Sequence, residues 1–255
     1  MTAVVAAEEC RDLWLRGRGP VLLVAYAVLL SALTHLVATN QVLNFLEQRE
    51  AVNLVLQVAV AVGGLMALLV SADAISGERE RDTLESLLLA PVSRRAIVLG
   101  KLAAAMSLWF AAFAVAVPYL WVIGHGVSIV GTAVLAGLGV GTLLALGLSA
   151  LGMLVSALAG SNKVSLGVCL FLLLALFAPT QLPTGLAGAW REALIRVNPV
   201  AAGLEYLSGA ILGGAAHALD PTLLISPICL AGVAGAILIG AAPRLVSLHG
   251  GVMQG

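Results

Sequence analysis

The sequence predicts an all-α, polytopic membrane protein with six transmembrane helices, and three observations carry that prediction. Of its 255 residues 61% are apolar and only 10% are charged. Its mean hydropathy is +1.07, which describes a chain whose solvent is mostly lipid. Its apolar residues gather into six runs near the length that crosses a bilayer, since about 30 Å of hydrocarbon takes roughly 20 helical residues.

Taken in order, the expected spans are 20–38, 51–74, 96–123, 127–159, 164–178 and 222–242. The fourth is longer than the bilayer needs and the fifth is short, which predicts tilt or shifted boundaries in both. Pro118 falls inside the third run and Pro227 inside the sixth, where each is expected to kink its helix. Two further helices lie outside the spans. In residues 1–19, Ala3, Ala7, Cys10 and Trp14 share one face, which predicts a helix lying along the inner leaflet with Trp14 at headgroup level. Residues 181–221 are too apolar for a disordered connection. There Trp190, Leu194 and Val197 share a face, Asn198-Pro199 reads as a stop and restart, and the run that follows has half-span length, as a re-entrant external segment would. The whole of 1–255 is read as one transmembrane domain.

Orientation follows from the basic residues, because cytoplasmic loops near span ends keep an excess of them. With the N-terminus inside, Arg11, Arg16, Arg18, Arg79, Arg81, Arg94, Arg95, Lys101, Lys163 and Arg244 are cytoplasmic, and Arg49, Arg191 and Arg196 are external. Six spans return the C-terminus to the cytoplasm. The first run is long for a signal-peptide core, and the sequence after it is a poor cleavage site.

The densest charge in the chain sits in the loop between the second and third spans, residues 75–95. Gly77 permits a bend off the second span. Beyond it Thr83, Leu84, Leu87 and Leu88 fall on one helical face, while Glu78, Arg79, Arg81, Asp82 and Glu85 occupy the others. That pattern predicts a short amphipathic helix parallel to the membrane. Pro91 stops it, Ser93 caps the next helix, and Arg94, Arg95 and Lys101 are expected at the inner headgroup level. Read without further context, such a loop is also what a solvated, topology-fixing hairpin looks like.

The wording of residues 75–101 closely resembles the cytoplasmic loop of ABC-2 type permeases, the membrane subunits of ATP-binding-cassette exporters. The branch it most resembles includes the permease for nitrous-oxide-reductase maturation. Gly77, Glu78, Arg79, Glu80, Thr83, Leu84, Glu85, Leu87, Leu88, Pro91, Ser93, Arg94, Gly100 and Lys101 match the family pattern, and Asp82 departs from it where a glycine is usual. The resemblance implies a coupling helix that docks separate nucleotide-binding (ATPase) subunits. Leu84, Leu87 and Leu88 would supply apolar knobs, and Glu78, Arg79, Glu80, Arg81 and Glu85 would set the register. It also implies a pairing with a second copy or a homologous permease, a surrounding of membrane lipid, and a place in a bacterial or archaeal cytoplasmic membrane.

Other chemistry is poorly represented. Gly100-Lys101 is not a phosphate loop, because Arg95 stands where that motif needs glycine and Leu102 where it needs Ser or Thr. ATP and Mg are therefore expected on the partner subunit, with no cofactor in this chain. No catalytic residue is expected, because no His-Glu-x-x-His or Gly-x-Ser-x-Gly occurs. Cys10, Cys169 and Cys229 have no metal-ligand spacing, and the methionines and histidines do not cluster, so no metal site is expected. Net charge is zero, so no global field favours nucleic acid. The spans carry few ionisable groups, which disfavours a proton-coupled transporter. Glu205, beside Tyr206, is the one external acid in apolar company and a candidate to face a translocation path. Gly137 with Gly141, and Gly209 with Gly213, make small-residue pairs expected to serve packing within the chain. Two rival readings are a stand-alone channel or facilitator, and an ATPase-coupled scaffold acting on lipid or on an extracytoplasmic protein.

Overall fold

The computed structural model describes residues 2–39, 48–81, 93–126, 128–181, 189–213 and 220–245. The described residues are helical, with no strand among them. In chain order the helices are α1 Thr2–Leu15, α2 Arg18–Thr39, α3 Gln48–Asp73, α4 Ser76–Glu80, α5 Arg94–Ile123, α6 Val130–Leu158, α7 Asn162–Phe177, α8 Ala189–Val197, α9 Pro199–Leu212 and α10 Ile225–Leu245. Short 3₁₀ turns at Ala178–Gln181 and Pro221–Leu224 extend α7 and introduce α10. Six helical stretches are long and apolar enough to cross a membrane, at Arg18–Thr39, Gln48–Glu80, Arg94–Ile123, Val130–Leu158, Asn162–Thr180 and Pro221–Ala242. They coincide with the six runs read from the sequence.

Burial divides these spans into a centre and a periphery. In α3 and α6 56% of the most apolar window is buried, against 17% in α2 and 22% in α7 and α10. Small residues permit the central contact. A Cβ on Gly141 would come within 2.5 Å of the Trp109 ring, and one on Gly63 within 2.7 Å of it. Trp109 is thus fully buried between α3 and α6, with its indole N–H donated to Thr142 Oγ1 at 3.0 Å. Gly137 likewise admits Leu56 and Phe113. The expected packing role therefore holds for Gly137 and Gly141, whereas Gly209 has open space beside it. The 29 residues of α6 span about 43 Å at the helical rise, so its ends reach past the hydrocarbon.

The segment before α10 contains the helix stop and restart read from the sequence. Asn198 Oδ1 accepts from the backbone N–H groups of Val200 and Ala201, both at 3.0 Å, and Pro199 begins α9. α9 buries Val200, Ala201, Gly203, Leu204, Leu207 and Ile211 against the bundle. A neutral polar cluster fastens it to α3, where Gln57 Nε2 donates to Ser208 Oγ at 2.6 Å and Asn53 Nδ2 to the same oxygen at 3.3 Å.

One expectation needs correcting. Pro227 is the third residue of α10. In that first turn its missing N–H has no intrahelical partner to lose, and no kink is required. α5 stays helical through Pro118. The side that α1 turns to the bundle runs through Val5, Ala6, Glu9, Cys10, Leu13 and Trp14, whereas Ala3 and Ala7 are exposed. The reason is a crossing with α5 at Gly100, where an added Cβ would lie 2.9 Å from Val5 and 3.3 Å from the Ala6 backbone nitrogen. Trp14, half-buried, donates its indole N–H to Ser107 Oγ at 3.2 Å.

Candidate functional site

At one end of the bundle meet the last turn of α3, the short helix α4, the first turns of α5, the α6–α7 turn and α1. The chain leaves α3 through a bend built by serines. Ser156 Oγ on α6 accepts from the backbone N–H groups of Ile75 and Ser76 at 3.0 and 2.9 Å. The carbonyl of Ala72 accepts from Ser76 Oγ at 2.9 Å and from Ser165 Oγ at 2.7 Å. Groups orphaned by the end of α3 are thereby satisfied inside the protein. Ile75, 1% exposed, seals the joint against Val98, Ala150 and Met153.

Each residue from Gly77 to Arg81 then has a separate task. Gly77 is glycine because a Cβ there would collide with the Asp73 carboxylate. Asp73 is the hub beside it, accepting from Arg18 Nη1, from Arg81 Nη2 at 3.0 Å and from Asn162 Nδ2 at 2.7 Å. Glu78 turns toward α5 and pairs with Lys101. Arg79 reaches the C-terminus of α6, donating to the carbonyls of Ala159 at 2.8 Å and Ala157 at 3.3 Å. Glu80 accepts the backbone N–H of Asn162 at 2.9 Å, at the first residue of α7. A cation on helix-end carbonyls and an anion on helix-start N–H groups both have the favourable sign for the helix dipole.

Lys101 is the principal surprise. It was expected at the headgroup level with Arg94 and Arg95, but its side chain is only 5% exposed, with Glu78 on one side and Glu9 Oε1 on the other at 3.0 Å. Burying a charge requires such partners. With two acids around one ammonium, Glu9 is the less well served. Burial pushes its carboxyl above the ordinary range and outweighs the lowering by Lys101, while Glu78 and Asp12 push in the same direction as burial. Between α1 and the spans lies a cleft of about 480 Å³, lined by Glu8, Asp12, Arg16, Arg18 and Asp73 as well as by the Glu9–Lys101–Glu78 triad.

Of the residues singled out from sequence, Gly77, Glu78, Arg79, Glu80, Arg81, Gly100 and Lys101 converge here. The side chains of Glu78, Arg79, Glu80 and Arg81, expected to set the register of a docked partner, make their hydrogen bonds and ion pairs within the chain. Ser93 caps α5 as expected, its Oγ accepting from Ala96 N at 3.3 Å. Arg94 starts that helix. Thr83, Leu84, Glu85, Leu87, Leu88 and Pro91 lie outside the described residues. Glu205 and Tyr206 are elsewhere, on α9: Glu205 is exposed, and Tyr206 is half-buried against the core. Sequence reasoning missed Glu9, Arg18, Ser156 and Asn162. Only Glu9 carried a signal, standing at helical spacing with Val5 and Leu13 on an otherwise apolar strip. Among the described residues no group of acids, histidines or cysteines is arranged to hold a metal ion, and the three cysteines are unpaired.

A family model for ABC-2 family transporter proteins matches residues 10–240. No curated protein matches the sequence at a significant level. The match spans the first five membrane-crossing stretches and nearly all of the sixth, α1 from Cys10 onward and the cluster around α4, so the chain belongs to the ABC-2 family of transporter proteins, as a multi-pass membrane component of an ABC transporter.

Proposed function

We propose that this chain is the permease through which ATP hydrolysis on separate nucleotide-binding subunits drives movement of a substrate across the cell membrane. In this reading its N- and C-termini face the cytoplasm. The coupling loop, residues 75–95, carries the docking contact, with Leu84, Leu87 and Leu88 entering a groove on the ATPase subunit. ATP and Mg belong to that subunit, and a second copy or a homologous permease completes the path. By the wording of residues 75–101 we place the chain beside the nitrous-oxide-reductase maturation permeases within the family.

The observation that carries the reading is the fastening of Gly77–Arg81. A segment that served only as a topology signal would need no more than solvated charge. This one is tied by separate side chains to α5, α6 and α7, the arrangement expected of a part that receives force from outside the bundle and passes it to several helices. The test is to co-express the chain with a candidate ATPase, purify, and compare wild type with Leu84→Asp/Leu88→Asp. A folded double mutant that no longer recruits the ATPase supports docking at this segment. Unchanged assembly and ATP turnover would overturn it and favour a stand-alone channel.

A further inference from the structure

We propose that Arg79 and Glu80 are positioning residues that yoke the coupling segment to the turn between α6 and α7, so that nucleotide-driven motion is delivered to α7. This rests on the docking reading above and adds to it a route. The covalent chain leads from the docking segment only to α3 and α5. Nothing in the connectivity carries its motion directly to α6 or α7, so any link to them must be made by side chains.

The link straddles a three-residue turn. α6 ends at Leu158 and α7 begins at Asn162, with Ala159 and Ser161 extended on either side of Gly160. A Cβ on Gly160 would meet nothing within 4 Å, so the turn has room to bend. Arg79 holds the upstream side through two carbonyls, at 2.8 and 3.3 Å, and Glu80 holds the downstream side through one N–H at 2.9 Å. Adjacent residues on one short helix therefore grip both sides of one hinge. A shift of α4 moves the end of α6 and the start of α7 together or opens the angle between them. α7 is the natural follower, because only 22% of its apolar window is buried within the chain, leaving few contacts to oppose displacement. The side chains are suited to pulling: all three bonds are charge-assisted and directional, and they hold where apolar contact would slip.

The experiment uses the full chain with its cysteines replaced, reconstituted with the ATPase subunit. A single reporter cysteine is placed at exposed Lys163 on α7 or at Leu99 on α5. Alkylation by a membrane-impermeant maleimide is timed without nucleotide and with ATP plus vanadate. In the unmodified yoke, nucleotide changes the rate at both reporters by about fivefold or more. With Arg79→Gln/Glu80→Ala the change at Leu99→Cys persists, and the change at Lys163→Cys is lost. Glu80→Ala alone, at an exposed position that tolerates truncation, reduces the change at Lys163→Cys. A nucleotide response at Lys163→Cys that survives the double variant overturns the yoke. So does loss of ATPase binding in that variant, which would make the pair a docking contact. Failure of the unsubstituted chain to recruit any ATPase overturns the docking reading itself, and is told apart because it precedes the substitutions.

Discussion

The two ends of this bundle are held by different chemistry. At the α4 end the fasteners are ionic: Arg18 and Arg81 on Asp73, Lys101 between Glu9 and Glu78, and Arg79 on the end of α6. At the opposite end they are mostly neutral. Gln48 Nε2 donates to the carbonyls of Ile123 at 2.9 Å and His125 at 2.7 Å, while Asn53 and Gln57 share Ser208. Neutral bonds suffice to pin a short helix such as α9, because a buried amide or hydroxyl is costly to leave unpaired yet cheap to bury once paired. Ionic fasteners cost more desolvation, but they specify partner and direction. They are concentrated where a short helix must be gripped from several sides at once.

The sharpest way to break the ionic end is Lys101→Met. It leaves Glu9 and Glu78 facing each other with their shared cation gone, and removal of one partner from a buried ionic group costs about 3–5 kcal/mol. A large drop in melting temperature in detergent is expected. Adding Glu9→Gln and Glu78→Gln should recover most of the loss, since the penalty lies in the uncompensated acids. If the triple variant is no better than Lys101→Met, the triad is not what stabilises this end.

The next effect is a pH dependence with a defined sign. Because burial holds the Glu9 carboxyl above its ordinary value of 4.5, the folded chain binds that proton more readily than the unfolded one. Its contribution to stability is fully present below the ordinary value and is lost as pH rises through the native one. Stability measured upward from mildly acid pH should therefore fall across that window, and Glu9→Gln should flatten the slope. A wild type whose stability rises there as steeply as that of Glu9→Gln would contradict the burial argument.

At the neutral end the expected change is smaller. Ser208→Ala removes the oxygen shared by two amides, and hydrogen bonds of this kind between membrane helices are worth about 1 kcal/mol. The loss should be insensitive to salt and pH, in contrast to the α4 end. It should appear first as faster proteolysis near α9, because α9 is the element that the cluster anchors. Gln57→Leu should do the same through the other partner.

These differences also explain what could be read from the sequence. The six spans were legible because lipid imposes a length and a composition on each of them, and Ser93 and Asn198-Pro199 were legible because a helix start is a local event. The motif marked where the charged end lies. It did not disclose which way its charges point: on a helix of five residues every face looks wet in sequence, and whether a face meets solvent or the end of α6 is decided by a turn some eighty residues away in the chain. Lys101 was misplaced for a related reason. Its burial depends on α1 crossing α5 at Gly100, a contact between residues far apart in the chain that turns Val5, Glu9 and Leu13 inward. Pro227 was misjudged because apolar residues continue across the boundary between the 3₁₀ turn and α10, so nothing marked where the first turn begins.

The smallest effect separates the two layers of the ionic end itself. Arg18 and Arg81 are 55% and 43% exposed at the side chain, whereas Lys101 is 5% exposed. Arg18→Gln should therefore cost about 0.5 kcal/mol, as solvated pairs do. Asp73 retains Arg81 and Asn162 when Arg18 is gone, so no acid is left unpaired. The cost should also fade as salt is raised, because screening acts on exposed pairs and hardly on buried ones. Measured beside Lys101→Met across a salt series, the contrast is the informative quantity. A cost for Arg18→Gln that is large and independent of salt would mean that the cleft between α1 and α3 is closed to water in the working protein. The outer arginines would then belong to the same buried core as the lysine.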